Sequence, residues 1–194
     1  LCASGLEAIG QGARAIALGE ADIILAGGVE SMSRAPYVMA KALEGFERTQ
    51  QLEDSTLGWR MINPKMREAY GVDSMAQTAE NLAEQFGISR SDQDAFAWRS
   101  QQRAATAIAD GRLDGEILSA GALTHDEHPR ADTTLEKLAA LKPITHANGS
   151  ITAGNASGLN DGSAALLLAS ASALEKYGLS PRARITGMAS AGVA

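Results

Sequence analysis

The sequence contains little of several residue types, and each shortage excludes a class of protein. One cysteine among 194 residues rules out the internal disulfide framework of small secreted domains. No apolar run approaches the roughly 18 residues needed to span a bilayer. The 17 basic residues are outnumbered by 23 acidic ones, and the formal charge of −6 argues against nucleic acid or an acidic membrane as a partner. We therefore expect a cytoplasmic protein with neither of these partners.

The sequence also lacks the usual marks of a complete chain. It begins with leucine, shows no signal-like segment before its first predicted helix, and closes on an apolar stretch, residues 185–190, that predicts a strand with nothing after it. We therefore expect a fragment of a longer protein. The length and the 45% hydrophobic content suffice for one large domain or two small ones with a substantial core.

Hydrophobic periodicity predicts helix and strand elements near both ends of the sequence. Apolar residues at helical spacing indicate a first helix that ends near Gly19. Residues 23–26 predict a strand that is buried on both faces, as in a parallel sheet, and that stops at Gly27. Residues 164–169 predict a second strand, followed by a helix capped by Ser172. The pattern is that of an α/β protein.

The middle of the sequence has a different character. Residues 30–155 are polar and mainly helical, which indicates an insertion lying over the sheet. Within it, residues 75–86 carry one apolar helical face that closes at Gly87. The sequence of residues 89–92 is typical of a capping box and predicts a long helix that runs towards Ala109.

The single cysteine, Cys2, stands at the head of the first predicted helix. A thiol reacts as its thiolate, and the partial positive charge of a helix N-terminus favours that form. Cys2 is therefore a candidate nucleophile. The alternative is a small buried hydrophobic residue, which is the commoner role of a lone cysteine.

Two glycine-containing segments are further candidates for a binding site. Residues 27–36 lead out of a predicted strand, and the carboxyl ends of strands are where α/β sheets place their ligands. Residues 152–162 are small and turn-forming, so that a ligand could approach the backbone, with Asn and Ser as donors. Taken alone, the first segment is more often an ordinary strand exit and the second more often a complex turn.

Taken together, three motifs resemble those of the thiolase family, the acyl-CoA:acetyl-CoA C-acyltransferases. They are LCASG at residues 1–5, GGVESMS at residues 27–33 and TAGNASG at residues 152–158. The resemblance covers the whole chain and implies about the middle half of a complete thiolase. It implies an α/β thiolase-like fold of layered αβαβα architecture.

The resemblance also implies how the chain divides. It predicts part of the N-terminal half with the nucleophile helix and strand, the loop domain over the active site, the end of the N-terminal half, and the start of the C-terminal half. The corresponding residues are 1–29, 30–155, 156–180 and 181–194.

The family resemblance implies a role for each matching residue. Cys2 would take the acyl group as a thioester, on a helix buried in the first α/β half. Ser157 and Gly154 would line the pantetheine channel of coenzyme A, Met75 would pack beside it, and Arg130 would meet the nucleotide end. Coenzyme A is then a co-substrate together with acyl-CoA, no cofactor is bound permanently, and a homodimer or homotetramer is expected.

The remaining catalytic residues of the family have no match in this chain. Thiolases use a histidine, an asparagine and a second cysteine from the C-terminal half, so the chain alone is expected to be inactive. Residues 125–128, HDEH, have the types of metal ligands, but they lie in a predicted loop without further ligands. We therefore expect no metal site.

Residues 57–66 and 70–75 are similar to the branch of the family that cleaves 3-oxoadipyl-CoA into succinyl-CoA and acetyl-CoA. The distal carboxylate of that substrate could pair with Arg60, Lys65 or Arg67, which are otherwise solvated charges. The expected function is thus a degradative thiolase. The alternatives are a general acetyl-CoA acetyltransferase or 3-ketoacyl-CoA thiolase, and a non-catalytic acyl-CoA-binding protein in which Cys2 is structural.

Overall fold

The computed structural model describes residues 2–191. Leu1 of the first motif and residues 192–194, the end of the expected C-terminal segment, lie outside the described residues. The regular elements, in chain order, are α1 (Ser4–Ala17), β1 (Ile23–Ser31), β2 (Tyr37–Met39), β3 (Leu52–Asp54), α2 (Pro64–Tyr70), α3 (Met75–Phe86), α4 (Arg90–Ala109), α5 (Leu135–Ala139), β4 (Asp161–Ala169) and α6 (Ala171–Tyr177).

The described chain forms two compact units, which are considered separately. One contains the residues up to Arg34 and those from Asp161 onwards, and the other is Ala35–Asn160. The second unit begins and ends five residues later than the insertion expected at residues 30–155. None of the described helices combines the length and the apolar character needed to traverse a membrane.

The first unit is built on an antiparallel ribbon of β1 and β4. The register pairs Ile23 with Ala169 at one end and Ser31 with Asp161 at the other. The expected parallel pairing is therefore wrong: continuous apolar runs indicate burial, but they do not determine the direction of the partner strand. The expected stop at Gly27 is also wrong, because β1 continues to Ser31.

Glycine permits this continuation of β1. A Cβ atom built on Gly27 would collide with the carbonyl oxygen of Ala164 and would lie 2.9 Å from Cα of Ala165. The two backbones therefore approach each other closely at this point of the ribbon. A glycine in a strand can mark such a close approach instead of a strand end.

Helix α1 packs against both strands of the ribbon. Its buried residues are Gly10 and Gly12. A Cβ atom on Gly12 would lie 2.8 Å from Cδ1 of Leu168 and 3.1 Å from Cγ2 of Ile24. The helix can therefore pack this closely on the two strands because glycine has no side chain. The predicted apolar face is at most half-buried, and Leu6 at its start is 64% exposed. The expectation of a buried nucleophile helix is thus not met within the described residues.

Helix α6 and the segment after it differ from the prediction in two details. The backbone N–H of Ala173 donates to Oγ of Ser170 at 3.1 Å, so Ser170 and not Ser172 is the N-cap. The strand expected at residues 185–190 does not form. Met188 instead packs against α1, where its Cε atom would lie 2.9 Å from a Cβ atom on Gly10.

The second unit contains α2 to α5 and a small antiparallel ribbon of β2 and β3. Helix α3 ends at Gly87, which adopts φ of +62°, as predicted. Helix α4 begins after Ser89, whose Oγ accepts from the N–H of Asp92 at 3.1 Å, so the predicted cap is confirmed. Helix α5 packs against α4.

The described residues form only a small core. Their buried apolar side chains are Ala26, Ala83, Leu138, Ile151 and Ala173. On the face of the ribbon opposite to α1, Leu25 is 72% exposed and Val29 is 80% exposed. A substantial core is therefore not present within residues 2–191, since this face has no covering layer there.

Candidate functional site

Cys2 lies in the turn that leads into α1, two residues before the first helical residue, Ser4. Its thiol is free and exposed. Ala3 occupies the N-cap position and offers no side-chain acceptor to the first turn. The N–H groups that begin a helix have no partner within the helix, so this turn presents donors close to the thiol.

The first turn of α1 also contains one acidic residue, Glu7, whose carboxylate is hydrogen-bonded to other residues. Glu7 accepts hydrogen bonds from Nη1 of Arg14 at 3.0 Å and from Nε2 of Gln11 at 2.8 Å. The hydrogen bond from Arg14 is the main cause that keeps the pKa of Glu7 below its usual value. The carboxylate is thus paired along the exposed side of α1.

The exit of β1, within the GGVESMS motif, meets the start of β4. The carboxylate of Asp161 accepts from the backbone N–H of Ser33 at 2.9 Å and from its Oγ at 2.5 Å. Oγ of Ser31 donates to the same carboxylate at 3.3 Å. The hydrogen bonds from Ser33 lower the pKa of Asp161. The serines of this motif therefore hold the two ends of the ribbon's long connection together.

In the second unit, residues 150–158 form a loop that contains the TAGNASG motif and is organised by Asn155. Its Oδ1 accepts from the N–H of Thr152 at 2.7 Å. Its Nδ2 donates to the carbonyl oxygen of Ser150 at 3.0 Å and to Oδ1 of Asp94 at 3.1 Å. The side-chain amide of Asn155 is thus engaged within the protein, and its hydrogen bonds fix the shape of the loop.

The carboxylate of Glu80, on α3, holds the start of the same loop. Oε1 accepts from the N–H and Oγ of Ser150 at 2.7 and 2.6 Å, and Oε2 accepts from Oγ1 of Thr145 at 2.7 Å and the N–H of Ile151 at 3.1 Å. Burial acts to raise the pKa of Glu80, but these hydrogen bonds outweigh it and lower the pKa to about 2. The carboxylate is ionised at neutral pH.

Sequence reasoning did not single out Glu80. The available signal was its position three residues before Ala83 on α3, which places a charged residue on the buried face of the helix. Buried charges are usually paired or hydrogen-bonded, so such a residue indicates a polar network.

An ion pair supports the loop from the other side. Nε of Arg90 lies 2.8 Å from Oδ2 of Asp94, which is 4% exposed. Nη2 of Arg90 donates to the carbonyl oxygens of Leu138 at 2.7 Å and Leu141 at 3.1 Å. Gly154 rests on the same two leucines, because a Cβ atom there would lie 2.5 and 2.6 Å from their methyl carbons. The loop thus packs against α4 and α5.

The four residues expected to contact coenzyme A all lie in the second unit. Ser157 is exposed and Gly154 is half-buried in the loop, while Met75, the first residue of α3, is 74% exposed. Arg130 has an exposed side chain, and its backbone N–H donates to Oε1 of Gln101 at 2.8 Å.

The structure brings the segment of Arg130 to the end of the loop. A Cβ atom on Gly158 would lie 2.7 Å from Nδ1 of His128, so the imidazole packs directly on the loop beside Ser157. Cys2 belongs to the other unit.

The three candidates for a distal-carboxylate contact are exposed. Nη1 of Arg60 donates to the carbonyl oxygen of Gly58 at 2.5 Å. Lys65 and Arg67 lie on α2, which is capped by Asn63. Among the described residues, none of the three forms an ion pair within 4.0 Å.

Lys137 and the HDEH segment, residues 125–128, also lie in the second unit. Nζ of Lys137 lies 2.6 Å from Oδ2 of Asp132, and this contact is the main cause of the lowered pKa of Asp132. The HDEH segment gathers no metal-binding set, since within residues 2–191 no three His, Cys, Asp or Glu residues come together as ligands.

Comparison with known proteins gives one family. The profile described as "Thiolase, N-terminal domain" matches residues 1–172. The chain is 59% identical over 202 aligned residues to the beta-ketoadipyl-CoA thiolase of Pseudomonas aeruginosa. It is 55% identical to the 3-oxoadipyl-CoA/3-oxo-5,6-dehydrosuberyl-CoA thiolase of Escherichia coli. Each alignment covers 100% of this chain and 50% of the relative, so the chain spans about half the length of these curated relatives.

Among solved structures, the chain is similar to human mitochondrial 3-ketoacyl-CoA thiolase determined in complex with CoA. The TM-score is 0.80 at 37% sequence identity, and the match covers 93% of this chain and 46% of the human chain. The expected α/β thiolase-like fold is thereby confirmed.

Proposed function

Because the chain belongs to the thiolase family, we propose that it is part of a degradative thiolase that cleaves a 3-oxoacyl-CoA with coenzyme A. The substrate that we propose is 3-oxoadipyl-CoA, and the products are succinyl-CoA and acetyl-CoA. The observation that carries the proposal is the 59% identity, over the whole chain, to a beta-ketoadipyl-CoA thiolase.

In this proposal, Sγ of Cys2 is the nucleophile. The thiolate attacks the C3 carbonyl carbon of the substrate, the bond between C2 and C3 breaks, and its electron pair leaves with C2, which takes up a proton to give acetyl-CoA. The acyl group remains on Cys2 as a thioester. The thiolate of a second coenzyme A then attacks that thioester, giving succinyl-CoA and the free Cys2 thiolate. The exposed thiol supports this role over that of a buried structural cysteine.

The helix N-terminus beside Cys2 supports the chemistry electrostatically. Its N–H groups and the helix dipole favour the thiolate and can donate to a developing oxyanion on the thioester carbon. The proton transfers require a base and an acid, and the family's histidine, asparagine and second cysteine are not among the residues of this chain. We therefore propose that the chain alone is inactive and that catalysis requires the full-length protein.

We propose that coenzyme A is a co-substrate held by Ser157, Gly154, Arg130 and Met75. The support is the closely hydrogen-bonded loop that carries the first two and the contact between His128 and Gly158, which places the segment of Arg130 beside it. A cationic side chain suits the phosphates of the coenzyme. We propose no permanently bound cofactor and no metal. We further propose that the full-length protein forms a homo-oligomer and is cytoplasmic.

The proposal is tested by thiolysis with the full-length protein. We expect coenzyme A-dependent loss of 3-oxoadipyl-CoA, faster than that of acetoacetyl-CoA, and no activity in Cys2→Ala. Equal rates with straight-chain substrates would indicate a general 3-ketoacyl-CoA thiolase or acetyl-CoA acetyltransferase. Binding of acyl-CoA without thiolysis of any of them would indicate a non-catalytic acyl-CoA-binding protein.

The substrate's distal carboxylate is proposed to pair with Arg60, with Lys65 and Arg67 as further contacts. Arg60→Ala should lower kcat/KM for 3-oxoadipyl-CoA roughly tenfold and leave that for acetoacetyl-CoA within about twofold, because a charge-assisted hydrogen bond is lost only with the first substrate. Arg48→Ala, which removes another exposed arginine of the same unit, is the control. Equal losses with both substrates would contradict this contact.

A further inference from the structure

The chemistry proposed above does not use the buried carboxylate of Glu80. Glu80 is 9% exposed, and its hydrogen-bond partners within the described residues are Thr145, Ser150 and Ile151, none of which is proposed to contact coenzyme A. We propose that Glu80 is a positioning residue for coenzyme A: its carboxylate holds the 150–158 loop in the conformation that presents Gly154 and Ser157. This inference rests on the proposed function.

The carboxylate of Glu80 is used to its full capacity as an acceptor. Each oxygen accepts two hydrogen bonds, from Ser150 on one side and from Thr145 and Ile151 on the other. A carboxylate has about four acceptor positions, whereas the amide of glutamine keeps an acceptor at only one of its two terminal atoms. Glutamine has almost the same shape, but it cannot receive both pairs of donors.

Further hydrogen bonds connect the residue that Glu80 binds, Ser150, to the rest of the loop. Ser150 is fixed at its N–H by Glu80 and at its carbonyl oxygen by Nδ2 of Asn155. Asn155 in turn accepts from the N–H of Thr152, and Oγ1 of Thr152 accepts from the N–H of Gly154 at 3.2 Å. An unbroken series of hydrogen bonds thus leads from the carboxylate to Gly154.

The turn before the loop closes tightly over the same carboxylate. A Cβ atom on Gly149 would lie 2.8 Å from Oε2 of Glu80, and the N–H of Gly149 donates to the carbonyl oxygen of His146 at 2.9 Å. The backbone therefore lies close to the carboxylate of Glu80 both before Ser150, at Gly149, and after it, at Ile151. If Glu80 loses one acceptor oxygen, the buried donors must find new partners, and the loop must shift.

The test compares Glu80→Gln with Glu84→Gln in the full-length protein. Glu84 lies one turn further along α3 and is exposed, so its substitution is the matched control. Coenzyme A binding is measured by titration calorimetry, and KM and kcat by thiolysis. We expect Glu80→Gln to weaken coenzyme A binding and to raise KM for coenzyme A roughly tenfold, with kcat at saturation within about twofold, since Cys2 is untouched. Glu84→Gln should match the wild type.

Hydrogen exchange supplies a readout of the loop itself. In Glu80→Gln we expect faster exchange of the backbone N–H groups of Ser150, Ile151 and Thr152, measured by mass spectrometry below the unfolding transition. A lower melting temperature with unchanged coenzyme A affinity would mean that Glu80 only stabilises the fold, and it would overturn the inference. If Glu80→Gln does not fold, Glu80→Asp, which keeps the charge on a shorter side chain, should bind with intermediate affinity; unchanged binding would overturn the inference equally.

The two proposals fail differently. If the wild-type protein binds coenzyme A and Glu80→Gln binds it equally well, the positioning role is wrong and the proposed function stands. If the wild-type protein does not bind coenzyme A, the proposed function is wrong and the inference falls with it.

Discussion

Replacing Asn155 with alanine tests whether this residue organises the 150–158 loop. The substitution removes the acceptor for the N–H of Thr152 and the donor to Asp94 and to the carbonyl oxygen of Ser150. Thr152 is 0% exposed and Asp94 is 4% exposed, so water cannot easily replace the lost partners. The substitution is therefore expected to lower the free energy of unfolding of the protein, in addition to loosening the loop.

The magnitude follows from these groups. A buried N–H left without an acceptor costs about 1–3 kcal/mol, and a lost hydrogen bond to a charged group costs about 1.5–3 kcal/mol. Asp94 keeps Arg90 as a partner, and neighbouring effects do not add fully. We therefore expect Asn155→Ala to lower the free energy of unfolding by about 2–4 kcal/mol. For a protein of this size, that corresponds to a melting temperature lower by about 5–15 °C.

The assay is thermal and urea unfolding followed by tryptophan fluorescence. Both tryptophans, Trp59 and Trp98, lie in the Ala35–Asn160 unit, so the signal reports the unit that contains the loop. Asn160→Ala is the control, because Asn160 is exposed and, among residues 2–191, its Nδ2 donates only to the carbonyl oxygen of Gly158 at 3.4 Å. It should change stability by less than about 0.5 kcal/mol. Equal effects of the two substitutions would refute the assignment of Asn155 as the loop's organiser.

Two further predictions concern the same unit. The pKa of Glu80 falls from 4.5 to about 2 on folding, so its contribution, at most about 3 kcal/mol, is present above pH 4.5 and lost as the pH falls towards 2. Urea unfolding should show a steeper loss of stability between pH 5 and 3 in the wild type than in Glu80→Gln; parallel profiles would contradict the lowered pKa. Gly154→Ala should destabilise by about 1–3 kcal/mol, because its Cβ would overlap Leu138, whereas Gly162→Ala, where a Cβ meets open space, should cost less than Gly154→Ala. Equal melting temperatures of the two alanine variants would refute the close packing of Gly154.

Local features of this fold could be predicted from the sequence. The start of α4 at Ser89 and the end of α3 at Gly87 were both expected, because helix caps are encoded within a few neighbouring residues. The cap of α6 was placed at Ser172 instead of Ser170, since two serines in the same turn offer the same signal.

Features that depend on distant partners could not be predicted. The continuation of β1 through Gly27 depends on the approach of Ala165, and the antiparallel direction depends on where the long connection returns. Glu80 and the residues that donate to its carboxylate are separated by 65 to 71 positions along the chain, so neither periodicity nor a local motif connects them. The hydrogen bond from Asn155 to Asp94 on α4 likewise spans 61 positions, so the local sequence of the loop gives no sign of it.

The central claim is that Cys2 carries the acyl group, and the direct measurement is mass spectrometry of the peptide that contains it. The full-length protein is incubated with 3-oxoadipyl-CoA without free coenzyme A, so that the acyl-enzyme accumulates, and is then quenched in acid and digested. The account predicts a succinyl group on Cys2 that disappears when coenzyme A is added. An unmodified Cys2 in a preparation that releases acetyl-CoA would contradict it.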